Sequence, residues 1–190
     1  MATKVRKPIS RMTAAEKAVE RVVIAKDVIK QIAAGRLVAR HNIYFQAEDV
    51  ENTPSAQLCD LLRGKTCIVC AKGAVFVAML DRFNEITLLD SGGYISTLSE
   101  DDPTGELSFG GGSIKSYVCE LFGSGMLNEI EYYFEGSSFT VNADRFYGSY
   151  ANAEERPSAI MRNIIANGGD FKPEQLKGVK AALSESRSAT

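Results

Sequence analysis

One histidine, His41, serves the whole 190-residue chain. No two-histidine metal site can form, and any histidine-based triad would depend on this position alone. Also missing are the nucleophile elbow G-x-S-x-G, the zinc helix H-E-x-x-H, the phosphate loop G-x-x-x-x-G-K-[ST] and the dinucleotide fingerprint G-x-G-x-x-G. The enzyme classes that announce themselves by such motifs are set aside. The one long apolar run, residues 73–80, is far short of the roughly 20 residues a bilayer span needs, and Lys72, Asp81 and Arg82 close it on both sides. No membrane partner is expected. The early basic residues Lys4, Arg6, Lys7 and Arg11 are not followed by an apolar segment, so a signal peptide is not expected and the protein is placed in the cytoplasm. Its four cysteines, Cys59, Cys67, Cys70 and Cys119, are therefore expected as reduced thiols. Internal repeats and coiled-coil heptads are absent.

What is present is an ordinary globular composition, 45% hydrophobic and 24% charged, which argues against a disordered chain. This length suits one domain able to bury about 70% of the surface exposed by its unfolded form. The net charge of −2 hides a division. Residues 1–40 hold ten Lys and Arg against three Asp and Glu, and residues 41–150 hold six against sixteen. A basic beginning on an acidic body fits self-complementary surfaces within one molecule or an oligomer, and less well an anionic partner such as nucleic acid.

The first helix is the best signalled element. Thr13 and Glu16 form a capping box, apolar residues recur at Ala15, Ala18, Val19, Val22, Ile29, Ile32 and Ala33, and Gly35 ends it. These positions predict its buried face. Residues 37–46 read as extended chain or a short strand. Thr53-Pro54 opens a short helix stopped by Gly64, and Thr66 then caps a central helix running to Phe83, apolar on every side except Lys72. On it Cys67, Ala71, Ala74 and Ala78 form a lane of small side chains where a partner helix can approach. Residues 86–112 lose helical period, longer than a simple connector requires. Further helices are predicted from Ser113 to Phe122, from Gly125 to Glu135 with Met126, Ile130, Tyr133 and Phe134 inward, from Pro157 to Asn167, and after Pro173. Residues 137–150 are irregular and rich in aromatics. The expected fold is mainly α: a single compact domain, residues 13–186, of six or seven helices around the buried central helix, with few short strands and a flexible basic tail at residues 1–12.

The segments C-I-V-C-A-K-G-A (Cys67 to Ala74) and M-R-N-I-I-A-N-G-G-D-F-K-P (Met161 to Pro173) resemble a loosely defined group of small bacteriophage and bacterial proteins without assigned activity. The resemblance spans about a third of the chain. It implies a mobile-element or host-interaction setting and no catalytic residue.

Candidate sites are weighed against plainer readings. Cys67-x-x-Cys70 with Cys59 and Cys119 offers four thiolates, but a structural zinc site presents a second close pair and these two cysteines are isolated. A thioredoxin-type motif needs a strand leading into a helix, which Lys65-Thr66 does not signal. Packing is the favoured reading, with no metal and no cofactor. Gly110, Gly111, Gly112 and Ser113 ahead of a helix would present free N–H groups to an anion, with Lys115 near. Glu100, Asp101 and Asp102, joined by Glu106, form an acidic loop without EF-hand spacing. Tyr147 and Tyr150 lie in the aromatic stretch. The site is therefore expected at Glu100, Asp101, Asp102, Gly110, Gly111, Gly112, Ser113, Tyr147 and Tyr150, because binding residues concentrate on loops held by a rigid scaffold. The expected function is non-catalytic binding of a host or partner protein, or of a small anionic ligand, by a homo-oligomer. The alternatives are a small hydrolase or transferase using His41, a cysteine or the Gly110 to Ser113 loop, and a nucleic-acid-associated protein using the basic tail, whose contacts would be directed at phosphates.

Overall fold

Thr13 and Glu16 do what their spacing predicts. The Glu16 N–H donates to Thr13 Oγ1 at 3.2 Å and the Thr13 N–H donates to the Glu16 carboxylate at 2.7 Å, which starts helix α1, Ala14–Ala33. At the other end Gly35, with φ +70°, donates to Ile32 O while the Arg36 N–H reaches back to Gln31 O. This double bond pattern closes the helix and turns the chain into a strand. The computed structural model describes residues 7–41, 43–47, 60, 62–83, 108–109, 112–135 and 155–173, with the backbone alone for 108–109 and 112–117. Of the short helix expected after Pro54 only its end is described, Asp60 in helical conformation and the turn Leu62 to Gly64 with Gly64 at φ +75°, while the last helix after Pro173 and residues 137–150 lie outside the described residues.

A short 3-10 turn, Ile9–Arg11, precedes α1 and buries Ile9. The chain thus enters the core before Thr13. After α1 come strands β1 (Leu37–Ala39), β2 (Phe45–Ala47) and β3 (Cys67–Val69) in the order β1-β3-β2, with β1 parallel and β2 antiparallel to β3. The link from β1 to β2 must therefore cross the end of β3. It is held there by the Arg40 N–H on Val69 O at 2.9 Å and the Cys70 N–H on Ile43 O at 2.5 Å. Helix α2, Ala71–Phe83, leaves β3 at once. A two-residue pair of strands, β4 (Ser108–Phe109) and β5 (Gly112–Ser113), leads into α3 (Ile114–Phe122), followed by α4 (Ser124–Glu135) and α5 (Glu155–Ala166). The described chain is thus mainly helical, five α-helices with a small three-stranded sheet.

Two sequence expectations need correction. The predicted helix over residues 67–83 is a strand and then a helix, because the β-branched pair Ile68-Val69 joins a sheet with neighbours on both sides and alternates in burial. Helix α2 proper is buried from Gly73 to Leu80, with Lys72, Asp81 and Arg82 at its margins. Cys67 leaves the lane of small residues, and Ala71, Ala74 and Ala78 remain on the helix, all buried. In α1 the buried residues are Ile24, Ala25, Val28 and Gln31, whereas Ala15, Val19 and Ala33, expected inside, are exposed. Its inner side lies against α5, α2, α3 and β1.

Buried polar groups join these layers. Arg21 on α1 donates to Gly169 O at 2.6 Å, to Leu121 O at 3.1 Å and to Asp170 Oδ1 at 3.1 Å, linking the ends of α3 and α5 to α1. Asn163, fully buried, donates to Lys172 O at 2.9 Å and accepts from the Lys172 N–H at 2.8 Å. It pins the segment after α5 by imitating a strand partner. That is the role of the first asparagine in the segment M-R-N-I-I-A-N-G-G.

Candidate functional site

Of the residues expected to form a site, Glu100, Asp101, Asp102, Gly110, Gly111, Tyr147 and Tyr150 lie outside the described residues. Gly112 and Ser113 are described as backbone only. They form β5, paired with β4 through Ser108 opposite Ser113 and Phe109 opposite Gly112, and Ser113 stands immediately before α3.

The described chain brings together a different set of polar groups, at the junction where the β1–β2 link passes over the head of α2. His41 stacks on Phe134 with ring centroids 5.0 Å apart, and its Nδ1 lies 3.2 Å from Glu135 Oε2. A carboxylate can only accept, so Nδ1 is the nitrogen that carries the hydrogen in this bond. One turn earlier on α4, Glu131 receives Lys72 from the first turn of α2. Arg156 on α5 donates to Phe134 O at 3.0 Å, satisfying a carbonyl at the end of α4. Three helices and a loop therefore meet through charged bonds.

Backbone fit explains how tightly. A Cβ on Gly73 would lie 1.6 Å from the Tyr44 carbonyl oxygen, so only glycine admits this link against α2. Cys70 sits at the same place. Its Sγ accepts from the Gly73 N–H at 3.5 Å, in the manner of a helix cap, and lies 3.9 Å from Tyr44 O. Cys67 is at the far end of β3, about 10 Å away for three residues of extended chain. That separation exceeds what a disulfide spans. A strand does lead into a helix here, contrary to the sequence reading, but the helix begins after Cys70 and the two thiols do not face each other. Cys67, Cys70 and Cys119 are in no disulfide, and the first two are 0% and 2% exposed. Burial pushes the Cys67 thiol up to about 11, with the Arg36 charge opposing in part. Among the described residues no cluster of three or more His, Cys, Asp or Glu could hold a metal ion, and no helix there is long and apolar enough to cross a membrane.

A second polar group lies under β1. Asp81, on the last turn of α2, receives Arg36 in a two-pronged bond and also Gln31, whose amide donates in addition to Asp27 at 2.6 Å. Asp81 raises the Arg36 guanidinium further above its ordinary value. Arg82 pairs with Glu20 of α1. At the start of α1 the Glu16 carboxyl is held down at about 2, first by Lys7 and then by its bonds to Thr13.

Sequence reasoning singled out His41 but not its partners. Glu131 and Glu135 are spaced one turn apart on a helix whose inward residues, Ile130 and Phe134, were recognised, and that spacing was the available signal. Gln31 was missed because a polar residue was not expected on the buried face. Comparison with protein-family models, with curated proteins and with solved structures gives no match.

Proposed function

We propose that the protein is a non-catalytic binding protein, acting by occupying a partner protein in a phage-like or bacterial setting, with a small anionic ligand at the Gly110 to Ser113 turn as the second occupant considered. One observation supports this most. The thiols Cys67 and Cys70 are locked in the core, and the charged side chains at the His41 junction, Glu135, Glu131 and Lys72, are engaged in bonds that hold helices and loop together. Such groups build a rigid frame, and contact with a partner then falls to the loops it presents. The contact residues remain Glu100, Asp101, Asp102, Gly110, Gly111, Gly112, Ser113, Tyr147 and Tyr150.

The enzyme reading keeps one observation in its favour. A histidine oriented by a carboxylate at 3.2 Å is the arrangement a general base uses, and Cys70 stands at the head of α2 beneath the same link.

Native mass spectrometry of the protein isolated gently from cells that express it tests the proposal. The expected spectrum carries the mass of a partner protein or small ligand beyond the chain itself, and the double variant Asp101→Lys, Asp102→Lys loses that mass with its melting temperature unchanged. Bare chain in both preparations, or an added mass that survives the double variant, would count against it.

A further inference from the structure

Asn167-Gly168 is the one Asn-Gly pair in the sequence, and it stands where α5 ends. The Gly169 N–H donates to Ile164 O at 2.8 Å and the Gly168 N–H to Ile165 O at 3.2 Å, with both glycines at positive φ. This crossed pair of bonds ends a helix on a left-handed residue. Asn167 still makes a helical bond, its N–H on Asn163 O at 3.0 Å, and its side chain turns back along the helix. There Nδ2 donates to Asn163 O at 2.9 Å and to Asn163 Oδ1 at 3.2 Å. The same Oδ1 accepts from the Lys172 N–H, so Asn163 passes the contact on. Gly169 is seated against Ala18 of α1, and Arg21 holds its carbonyl. One turn thus ties α5, α1 and the segment that follows.

We propose that Asn167 is a latent modification site, protected by the fold and deamidated without an enzyme once this turn opens. Asparagine is chemically labile, and most so before glycine, which presents the following amide with no side chain in the way. The Gly168 nitrogen gives its proton to base and attacks Asn167 Cγ. A C–N bond forms, the bond to the side-chain nitrogen breaks, ammonia leaves, and a five-membered succinimide joins the two residues. Water then opens the ring at either carbonyl, giving aspartate or isoaspartate. In the folded chain both reacting groups are engaged. The Gly168 N–H is spent on Ile165 O, and the Asn167 amide is held toward Asn163. Both contacts must break before the nitrogen can reach the carbon, so conversion waits on local opening. The product does not suit the place it left. A carboxylate at position 167 has no hydrogen to give, and Asn163 O and Oδ1, which the amide served, are both acceptors. Arg21 and Lys172, two cations at this turn, already face Asp170. Isoaspartate also lengthens the backbone by one carbon, two residues before a glycine pressed against Ala18. Each conversion therefore leaves the turn easier to open, a one-way record of opening that is independent of what the loops bind.

Peptide mapping of the full chain, aged at mildly alkaline pH with and without denaturant, reads it. In denaturant Asn167 should gain the mass of deamidation faster than any other asparagine, and in the native protein it should convert about tenfold more slowly or less, as an opening step requires. Asn163→Ala, which releases the Asn167 side chain, should speed the native conversion. A measurement that needs no variant stands beside it: the converted fraction of aged wild-type protein, separated by charge, should exchange the amide hydrogens of residues 168–172 faster than the unconverted fraction. Asn167→Asp should melt below wild type. Equal rates in the native and denatured chain would overturn the protection. Converted protein that exchanges and melts like the unconverted form would overturn its consequence.

Discussion

Gly73 shows how one missing side chain decides a fold. The Tyr44 carbonyl occupies the space where its Cβ would stand, at 1.6 Å, and both the carbonyl and the helix backbone are fixed. Neither can yield as the tip of a flexible side chain would. Gly73→Ala should therefore push the β1–β2 link off α2 and cost about 3 kcal/mol or more, at or beyond the upper end of overpacking penalties. Denaturant unfolding measures it, and a change below about 1 kcal/mol would contradict the packing described. The sequence marks Gly73 only as one small residue in an apolar run. Nothing local signals that a loop 30 residues upstream lies on it. His41 is a similar case: its singularity was visible at once, but its partner Glu135 is 94 residues away and reaches it only through tertiary structure.

Elements were legible wherever the signal is local. The capping box at Thr13, the reversal at Gly35, and the turns at Gly123 and Gly168-Gly169 all lie where helices begin or end, with the glycines at positive φ. The central segment misled because a fully buried strand and a buried helix are both continuous apolar runs. β-branching in Ile68-Val69 was the clue that periodicity cannot give. In α1 the fault was different. Two apolar lanes compete for the core, and choosing between them needs the neighbours: α5 approaches through Gly169, whose absent Cβ would lie 2.3 Å from Ala18 O. That contact fixes which side of α1 faces in. At the level of α2, Ala74 is fully buried among close-packed neighbours. Ala74→Leu should destabilise by on the order of 1 to 3 kcal/mol, and Cys70→Ala by less, since it removes only a sulfur from contact with backbone. Paired thermal melts compare the two, and the reverse order would show that the thiol cap matters more than the helix packing.

Across the whole molecule, charge is unevenly shared. The described residues hold sixteen Lys and Arg against eleven Asp and Glu, and the remaining residues hold six against thirteen. Seven of the nine candidate loop residues belong to the acidic remainder, and the described structure places only Gly112 and Ser113. The binding account stands on a frame in which ion pairs join elements far apart in sequence and the buried thiols Cys67 and Cys70 serve packing and backbone contacts. Its most direct test is the rate at which iodoacetamide modifies each cysteine of the native protein at mildly alkaline pH, read peptide by peptide. Cys67 and Cys70 should react only as fast as the core opens, and should become fully reactive in denaturant, because burial excludes the reagent and holds the Cys67 thiol protonated up to about 11. Full modification of Cys70 within minutes, while the fold stays intact, would reveal a reactive thiol at the head of α2, beneath the β1–β2 link, and would contradict the non-catalytic account.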